Sequence, residues 1–126
     1  MDLTCCHVML SVSDIDAAKE FYLDKLGLMV IESYPKFFAV KAGDVRFSIF
    51  AGGVKRPLGD DGDSPASIIL RTADLAATMT ELAARGIEFE GEAAEAPNFM
   101  RYVSLLDPDG NRLHIAQYLA DPFAAA

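Results

Sequence analysis

The chain of 126 residues contains an internal repeat, and this repeat strongly limits the folds open to it. Residues 7–15 (HVMLSVSDI) and 67–75 (SIILRTADL) are each an apolar run that breaks at an aspartate and leads into a helical pattern. Short strand-like segments follow in both copies, and a glycine turn, at Gly43 or Gly110, precedes the last of them. Two copies of one supersecondary unit predict pseudo-twofold symmetry, with a site between the copies where equivalent positions converge.

The repeat predicts the element order βαβββ twice, in a single α+β domain of curved mixed sheets around a cavity. We expect a first unit at 1–50, a linker at 51–65, a second unit at 66–120 and a frayed tail at 121–126. The predicted strands are 3–12, 28–33, 37–41 and 45–50, then 66–72, 87–90, 100–106 and 112–118.

The first predicted helix is capped by Ser13 or Asp14, either of which can accept backbone N–H bonds, and the second runs from Asp74. They close at the glycines Gly27 and Gly86. Apolar residues at helical spacing predict one buried stripe on each helix. These stripes are Ile15, Ala18, Phe21, Tyr22 and Leu26, and Leu75, Met79, Leu82 and Ala83.

Strand alternation predicts which side chains point away from the helices. The apolar positions of each strand are expected to meet its helix, and the intervening positions to form a second face. That face carries His7, Ser48, Phe50, Ser67, His114 and Tyr118. Because this face is rich in polar and aromatic groups, we expect it to line a cavity rather than to pack under a helix.

Composition excludes several classes of partner. A net charge of −8 argues against nucleic acid, since phosphate binding needs a basic face. No apolar run approaches the roughly 20 residues of a membrane span, and no signal peptide is visible, so a cytoplasmic location is expected.

The adjacent Cys5 and Cys6 are poorly placed to pair with each other and predict buried thiols in a reducing compartment. Alternatively, Cys5 has a role at the site, because it shares a strand face with His7.

Three stretches carry a resemblance to a known family: residues 7–14, Phe21-Tyr22 with residues 26–28, and residues 107–115 (DPDGNRLHI). With these the chain resembles the vicinal oxygen chelate superfamily, which includes glyoxalases, extradiol dioxygenases and bleomycin-resistance proteins. The resemblance covers nearly the whole chain. It predicts the fold and leaves the activity open, because one fold hosts many chemistries.

The resemblance implies a metal held by the first and last strands of each unit, and the matching positions are His7, Ser48, Ser67 and His114. The family most often has Glu where this chain has His114. Two imidazoles suit Zn, Ni, Fe or Co, but a serine is a poor third ligand. Further ligand candidates are Cys5, Glu90, Glu95 and Tyr102. Without a metal, the two histidines would be polar wall residues of a ligand pocket.

Three functions therefore stay open. The first is a metal-dependent lyase or dioxygenase acting on a substrate with vicinal oxygens. The second is a metal-free protein that sequesters a small aromatic or drug-like ligand. The third is a metal-free enzyme that uses His7 or His114 for proton transfer. Substrate-pocket candidates are Ser48, Phe50, Ser67, Tyr102 and Tyr118. Because a chain this short leaves sheet edges uncovered, we also expect a homodimer.

Overall fold

A computed structural model describes residues 1–54 and 67–124, and the predicted unit occurs in it twice. The first copy contains β1 (His7–Val12), α1 (Ile15–Lys19), a π-helix that continues α1 (Glu20–Lys25), β2 (Met29–Tyr34), β3 (Phe37–Ala42) and β4 (Val45–Ala51). The second contains β5 (Ile68–Arg71), α2 (Leu75–Ala84), β6 (Ala94–Ala96), β7 (Met100–Leu106) and β8 (Arg112–Tyr118). None of the helices in these ranges is long and apolar enough to cross a membrane.

The two copies have the same sheet topology. One sheet has the strand order β1-β4-β3-β2 and the other β5-β8-β7-β6. In each sheet the first and last strands of the copy pair in parallel, and the other pairs are antiparallel. The predicted α+β fold of two mixed sheets is confirmed.

The described chain forms two compact units, which do not coincide fully with the two copies. Residues 108–110, the tip of the turn between β7 and β8, belong to the first unit together with residues 1–54. Within that unit, the backbone N–H of Ser13 donates to Asp109 Oδ2 at 2.7 Å, and Asp109 is only 2% exposed. A buried carboxylate thus receives a hydrogen bond beside the start of α1, where negative charge is favourable.

The helix boundaries follow the predicted capping chemistry. Asp14 accepts hydrogen bonds from the first turn of α1, and Asp74 accepts one from Ala77 N at 3.0 Å in α2. Gly27 and Gly86 follow the helical segments with φ of 72° and 94°, in the left-handed region that favours glycine.

The first helical segment contains a turn that its sequence pattern does not predict. From Glu20 to Lys25 it is a π-helix, and Leu26 N donates to Phe21 O at 2.9 Å, five residues back. The wider turn still buries both Phe21 and Tyr22, as the apolar stripe predicts.

The stripe predicted for α2 is wrong at one position. Leu75 and Leu82 are buried, whereas Ala83 is exposed. Ala83 lies one residue, or about 100° around the helix axis, beyond Leu82 and therefore points away from the sheet.

Two predicted strands differ most from the structure. The strand predicted at 87–90 is reduced to an isolated bridge between Phe89 and Leu105, because the chain turns at Gly91 with φ of 85°. The first strand begins at His7 rather than at residue 3. Cys5 and Cys6 precede it and are exposed, so the expectation of buried thiols is wrong.

The chain passes unusually close to β1 just after β4. Gly53 N donates to Val12 O at 2.9 Å, and a Cβ at Gly53 would lie 2.8 Å from both Ser11 C and Val12 N. Only glycine fits this contact without a shift of the backbone. From residue 55 onwards the predicted linker lies outside the described residues, as do residues 125 and 126 of the predicted tail.

Candidate functional site

In the first unit an aromatic contact identifies the face of the sheet that meets the helix. The rings of Tyr22 and Phe38 lie 6.4 Å apart, and Phe38 is opposite Ile49 in the β3–β4 register. Because side chains alternate along a strand, His7 on β1 and Ser48 on β4 lie on the opposite face. We call the sheet face opposite the helix the polar face of each unit.

A hydrogen-bonded group, the first cluster, occupies this polar face and consists of His7, Glu32, Arg46 and Ser48. His7 Nε2 lies 2.6 Å from Ser48 Oγ, and Arg46 Nε donates to the same oxygen at 3.1 Å. Arg46 Nη2 also donates to Glu32 Oε1 at 2.8 Å. Ser48 is only 1% exposed, and its hydroxyl bonds to one side chain from each of two paired strands. The first cluster therefore combines an imidazole–hydroxyl pair with an ion pair.

Aromatic rings flank the first cluster. The rings of Phe37 and Phe50 lie 4.9 Å apart, and Tyr34 stacks on Phe37 with a centroid separation of 6.0 Å. The guanidinium of Arg46 lies 6.0 Å from the centroid of Phe37. Phe50, a predicted pocket residue, thus belongs to an aromatic surface beside the hydrogen-bonding groups.

In the second unit a helix-capping contact identifies the corresponding faces. Leu75 N–H, in the first turn of α2, has no acceptor within the helix and donates instead to Gln117 Oε1 on β8 at 2.8 Å. Gln117 therefore faces the helix, and His114 and Tyr118 lie on the polar face, as strand alternation predicts.

The second cluster lies on this polar face and consists of Glu90, Tyr102, Ser104, Arg112 and His114. Ser104 Oγ lies 2.8 Å from His114 Nδ1, and the Tyr102 ring meets the imidazole edge-on at 5.8 Å. Arg112 donates through Nε and Nη2 to the two oxygens of Glu90, each at 2.9 Å. This cluster also contains an imidazole–hydroxyl pair and an arginine–glutamate pair.

The surroundings of His114 favour its neutral form. Burial of the ring lowers the pKa of His114, the neighbouring Arg112 lowers it further, and Glu90 acts in the opposite direction. The hydrogen bond from Arg112 is the main cause that holds the pKa of Glu90 below its usual range, against the effect of burial. At neutral pH the second cluster therefore contains an uncharged imidazole beside a charged, mutually compensated pair.

The two clusters occupy corresponding positions of the repeat. Arg46 stands two residues before Ser48 on β4, and Arg112 stands two residues before His114 on β8. The imidazole–hydroxyl pairs are built differently: in the first unit His7 lies on β1, the parallel partner of the strand that carries Ser48, whereas in the second unit His114 lies on the closing strand and Ser104 on its antiparallel neighbour β7.

Sequence reasoning missed Glu32 and Ser104. It considered Glu90 only as a candidate metal ligand. The signal available in the sequence was the arginine two residues before the predicted site position in both closing strands. The glutamate partners could not be read from it, because they depend on the register of edge segments.

The remaining predicted pocket residues lie around the second unit. Ser67 is exposed just before β5. Tyr118 is half-buried, its ring 5.4 Å from the ring of Phe99, and the guanidinium of Arg71 lies 5.4 Å from its centroid. The prediction that His7 and His114 share one cavity concerns two different units and stays a prediction.

The metal centre that the resemblance implies is one of the alternatives that the sequence leaves open. Within residues 1–54 and 67–124, no three His, Cys, Asp or Glu side chains are grouped so that they could bind a metal ion. Catalytic zinc typically uses three protein ligands, and here Glu32 and Glu90, which belong to the clusters of the two histidines, are each engaged by an arginine. We therefore derive no chemical step through a metal.

Solved structures share this fold along most of their length. A glyoxalase/bleomycin resistance protein/dioxygenase from Alicyclobacillus acidocaldarius has a TM-score of 0.78 at 19% identity, covering 97% of this chain and 96% of its own. A lactoylglutathione lyase from Agrobacterium tumefaciens has a TM-score of 0.72 at 22% identity, covering 93% and 95%. TnmS3, an antibiotic binding protein from Streptomyces sp. CB03234, has a TM-score of 0.69 at 23% identity, covering 93% and 97%.

These likenesses concern the fold, because their sequence identities are low. Among curated proteins, none matches the sequence. A family model, described as Glyoxalase/Bleomycin resistance protein/Dioxygenase superfamily, matches residues 5–115 and so spans both copies of the repeat and both clusters. The chain therefore belongs to the glyoxalase/bleomycin resistance protein/dioxygenase superfamily.

Proposed function

We propose that this protein binds a small aromatic molecule on its polar faces without the help of a metal. The observation that carries the proposal is the composition of the two clusters. Each sets an imidazole–hydroxyl pair beside aromatic rings, and each balances its arginine with a glutamate. Pockets for small organic ligands have this character, with apolar walls and a few placed polar groups.

The first unit supplies the stacking surface for such a ligand. Phe37 and Phe50 are both half-buried, so each ring keeps part of its surface accessible. Offset or edge-on contact between aromatic groups adds about 0.5–1.5 kcal/mol beyond area burial. His7 is exposed beside them and offers a hydrogen bond to a ligand hydroxyl or carbonyl.

The second unit supplies a polar group, the His114 imidazole, that can either donate a hydrogen bond to a ligand or accept one from it. A neutral imidazole has one donor and one acceptor nitrogen, and His114 uses Nδ1 with Ser104, which leaves Nε2 for a ligand. The edge-on Tyr102 ring places a further aromatic surface next to it.

Two relatives with this fold illustrate the alternatives. TnmS3 is an antibiotic binding protein, which agrees with binding, and the Agrobacterium tumefaciens protein is a lactoylglutathione lyase, which agrees with catalysis. The metal-dependent lyase or dioxygenase is therefore the outcome against which binding is tested. Proton transfer by His7 or His114 would require product formation as well as binding.

The test is a titration of untagged, EDTA-treated protein with the uncharged fluorescent probe N-phenyl-1-naphthylamine. We expect binding without added metal, weakened about 2- to 10-fold by Phe37→Leu, which removes one aromatic pair. Phe123→Leu is the control, because Phe123 is 88% exposed near the end of the chain. Equal loss in both variants would contradict the proposal.

A parallel calorimetric titration with Zn, Ni and Co separates the metal-dependent alternative. Probe binding that appears only after metal addition, with metal binding lost in both His7→Ala and His114→Ala, would replace our proposal with a metal centre shared by the two histidines.

A homodimer is part of the same proposal. On the edge strand β2, Met29, Val30 and Ile31 are 69%, 49% and 47% exposed, an apolar edge that a second copy would cover. Light scattering at micromolar concentration should give about twice the chain mass. A monomer at that concentration would contradict this part.

A further inference from the structure

The two arginine–glutamate pairs carry an inference about ligand charge that rests on the proposed function. We infer that Glu32 and Glu90 are specificity-determining residues: as built-in counter-ions of Arg46 and Arg112, they exclude anionic ligands and restrict the polar faces to uncharged aromatic molecules.

Both pairs are well formed and partly shielded from solvent. The side chains of Arg112 and Glu90 are 18% and 33% exposed, and two parallel hydrogen bonds join them. Those of Arg46 and Glu32 are 33% and 36% exposed, with one bond of 2.8 Å. A bidentate arginine–carboxylate pair is among the stronger ion pairs, so an incoming anion meets an arginine whose donors are already engaged.

The same pair is built twice from different backbone. Glu32 lies on β2, next to an irregularity in its pairing with β3. Glu90 lies outside any strand, held by its backbone N–H to Ser104 O at 2.8 Å. Each nevertheless reaches the arginine at the same position of its closing strand. Recurrence on unlike segments indicates that the pairing itself matters, rather than a local packing preference.

Electrostatics then decides which ligands are tolerated. An anionic ligand beside the first cluster must either displace Glu32 from Arg46 or lie close to its carboxylate, and the net charge of −8 adds long-range repulsion. An uncharged ligand neither has to displace Glu32 nor is repelled by the negative charge of the protein. Two further cations of the polar faces, Lys41 and Arg71, are exposed, so solvent screens their attraction for an anion.

The experiment uses two probes that differ by one sulfonate: N-phenyl-1-naphthylamine, which is uncharged, and 8-anilinonaphthalene-1-sulfonate, which is anionic. We expect the parent protein to bind the uncharged probe more tightly. Glu32→Gln and Glu90→Gln should each strengthen binding of the anionic probe about 5- to 10-fold relative to binding of the uncharged probe. The gain should shrink in 0.5 M NaCl, because salt screens the released arginine.

Glu81→Gln is the matched control. It makes the same change of charge and also breaks an arginine–glutamate pair, Arg85–Glu81 at 2.7 Å, but on α2 rather than on a polar face. It should leave the selectivity between the probes unchanged. Thermal melts of all variants establish that they fold.

Three outcomes would overturn the inference: equal affinity of the parent for both probes, an equal effect of Glu32→Gln and Glu90→Gln on both probes, or the same gain in Glu81→Gln. A different result would indicate that the proposed function is wrong. If the uncharged probe binds no variant, the binding proposal fails, and the counter-ion inference stands or falls on whether the two polar-face variants gain affinity for the anionic probe.

Discussion

Removal of the Ser48 hydroxyl tests whether the first cluster is built as described. Ser48→Ala deletes one oxygen that bonds to His7 at 2.6 Å and to Arg46 at 3.1 Å, at a position only 1% exposed. A neutral hydrogen bond contributes a net of about 0.5–1.5 kcal/mol, and one to a charged group about 1.5–3 kcal/mol. Because His7 is exposed and Arg46 partly so, both can rebind water, which holds the expected loss to about 2 kcal/mol.

Ser104→Ala provides the comparison within the same molecule. Ser104 is half-buried and bonds to the ring of His114, which is neutral at pH 7, so its loss should cost about 1 kcal/mol. For a chain of this length, 1 kcal/mol corresponds to a fall in Tm of about 4 °C. We therefore expect Tm to fall by about 8 °C in Ser48→Ala and about 4 °C in Ser104→Ala.

Thermal and urea unfolding at pH 7, followed by circular dichroism, measure both losses. The reasoning is refuted if Ser48→Ala is as stable as the parent, or if the two variants lose the same amount. Either result would mean that the hydroxyl of Ser48 is not the acceptor for Arg46 in solution.

Two further predictions concern pH and packing. Since the unfolded chain binds a proton at His114 below its ordinary pKa of about 6.5 while the folded chain resists it, stability should fall as pH drops below about 6.5. The lowered pKa of Glu90 adds a second loss below about pH 4.3. Thermal melts from pH 8 to 2 check both, and His114→Gln should abolish the first step; a pH-independent Tm above pH 5 in the parent would contradict it. Gly53→Ala should cost about 1–3 kcal/mol in urea unfolding, because its Cβ would lie 2.8 Å from the backbone of β1. Gly43→Asn, in a left-handed turn with no atom within 4 Å of the added Cβ, should cost less, and equal losses would contradict the packing argument.

The elements closest to their predicted bounds are those with the strongest local signals. The strands predicted at 100–106 and 112–118 match β7 and β8, because clear alternation flanks a turn of Asp, Pro and Gly. The π-helix at 20–25 could not be predicted, since its apolar spacing also suits an α-helix. The strand predicted at 87–90 failed because Gly91 turns the chain before pairing can extend.

The candidate site also has features that the sequence predicts and features that it does not. Alternation alone correctly predicts the face on which His7 and His114 lie, because each strand follows a period of two. The partners of the histidines do not follow from alternation. Ser104 lies opposite His114 only through the β7–β8 register, and Glu90 reaches Arg112 only because an irregular segment carries it there. Such partners depend on contacts between elements, which a single sequence does not encode locally.

The placement of Asp109 bears on whether the chain can be divided at its repeat boundary. Asp109 is encoded in the second copy, yet in space it belongs to the first unit, where it accepts the backbone N–H of Ser13. A fragment that ends after the first copy would lack this acceptor beside the start of α1. In a split-protein design, a second fragment that carries residues 108–110 would supply this acceptor in trans.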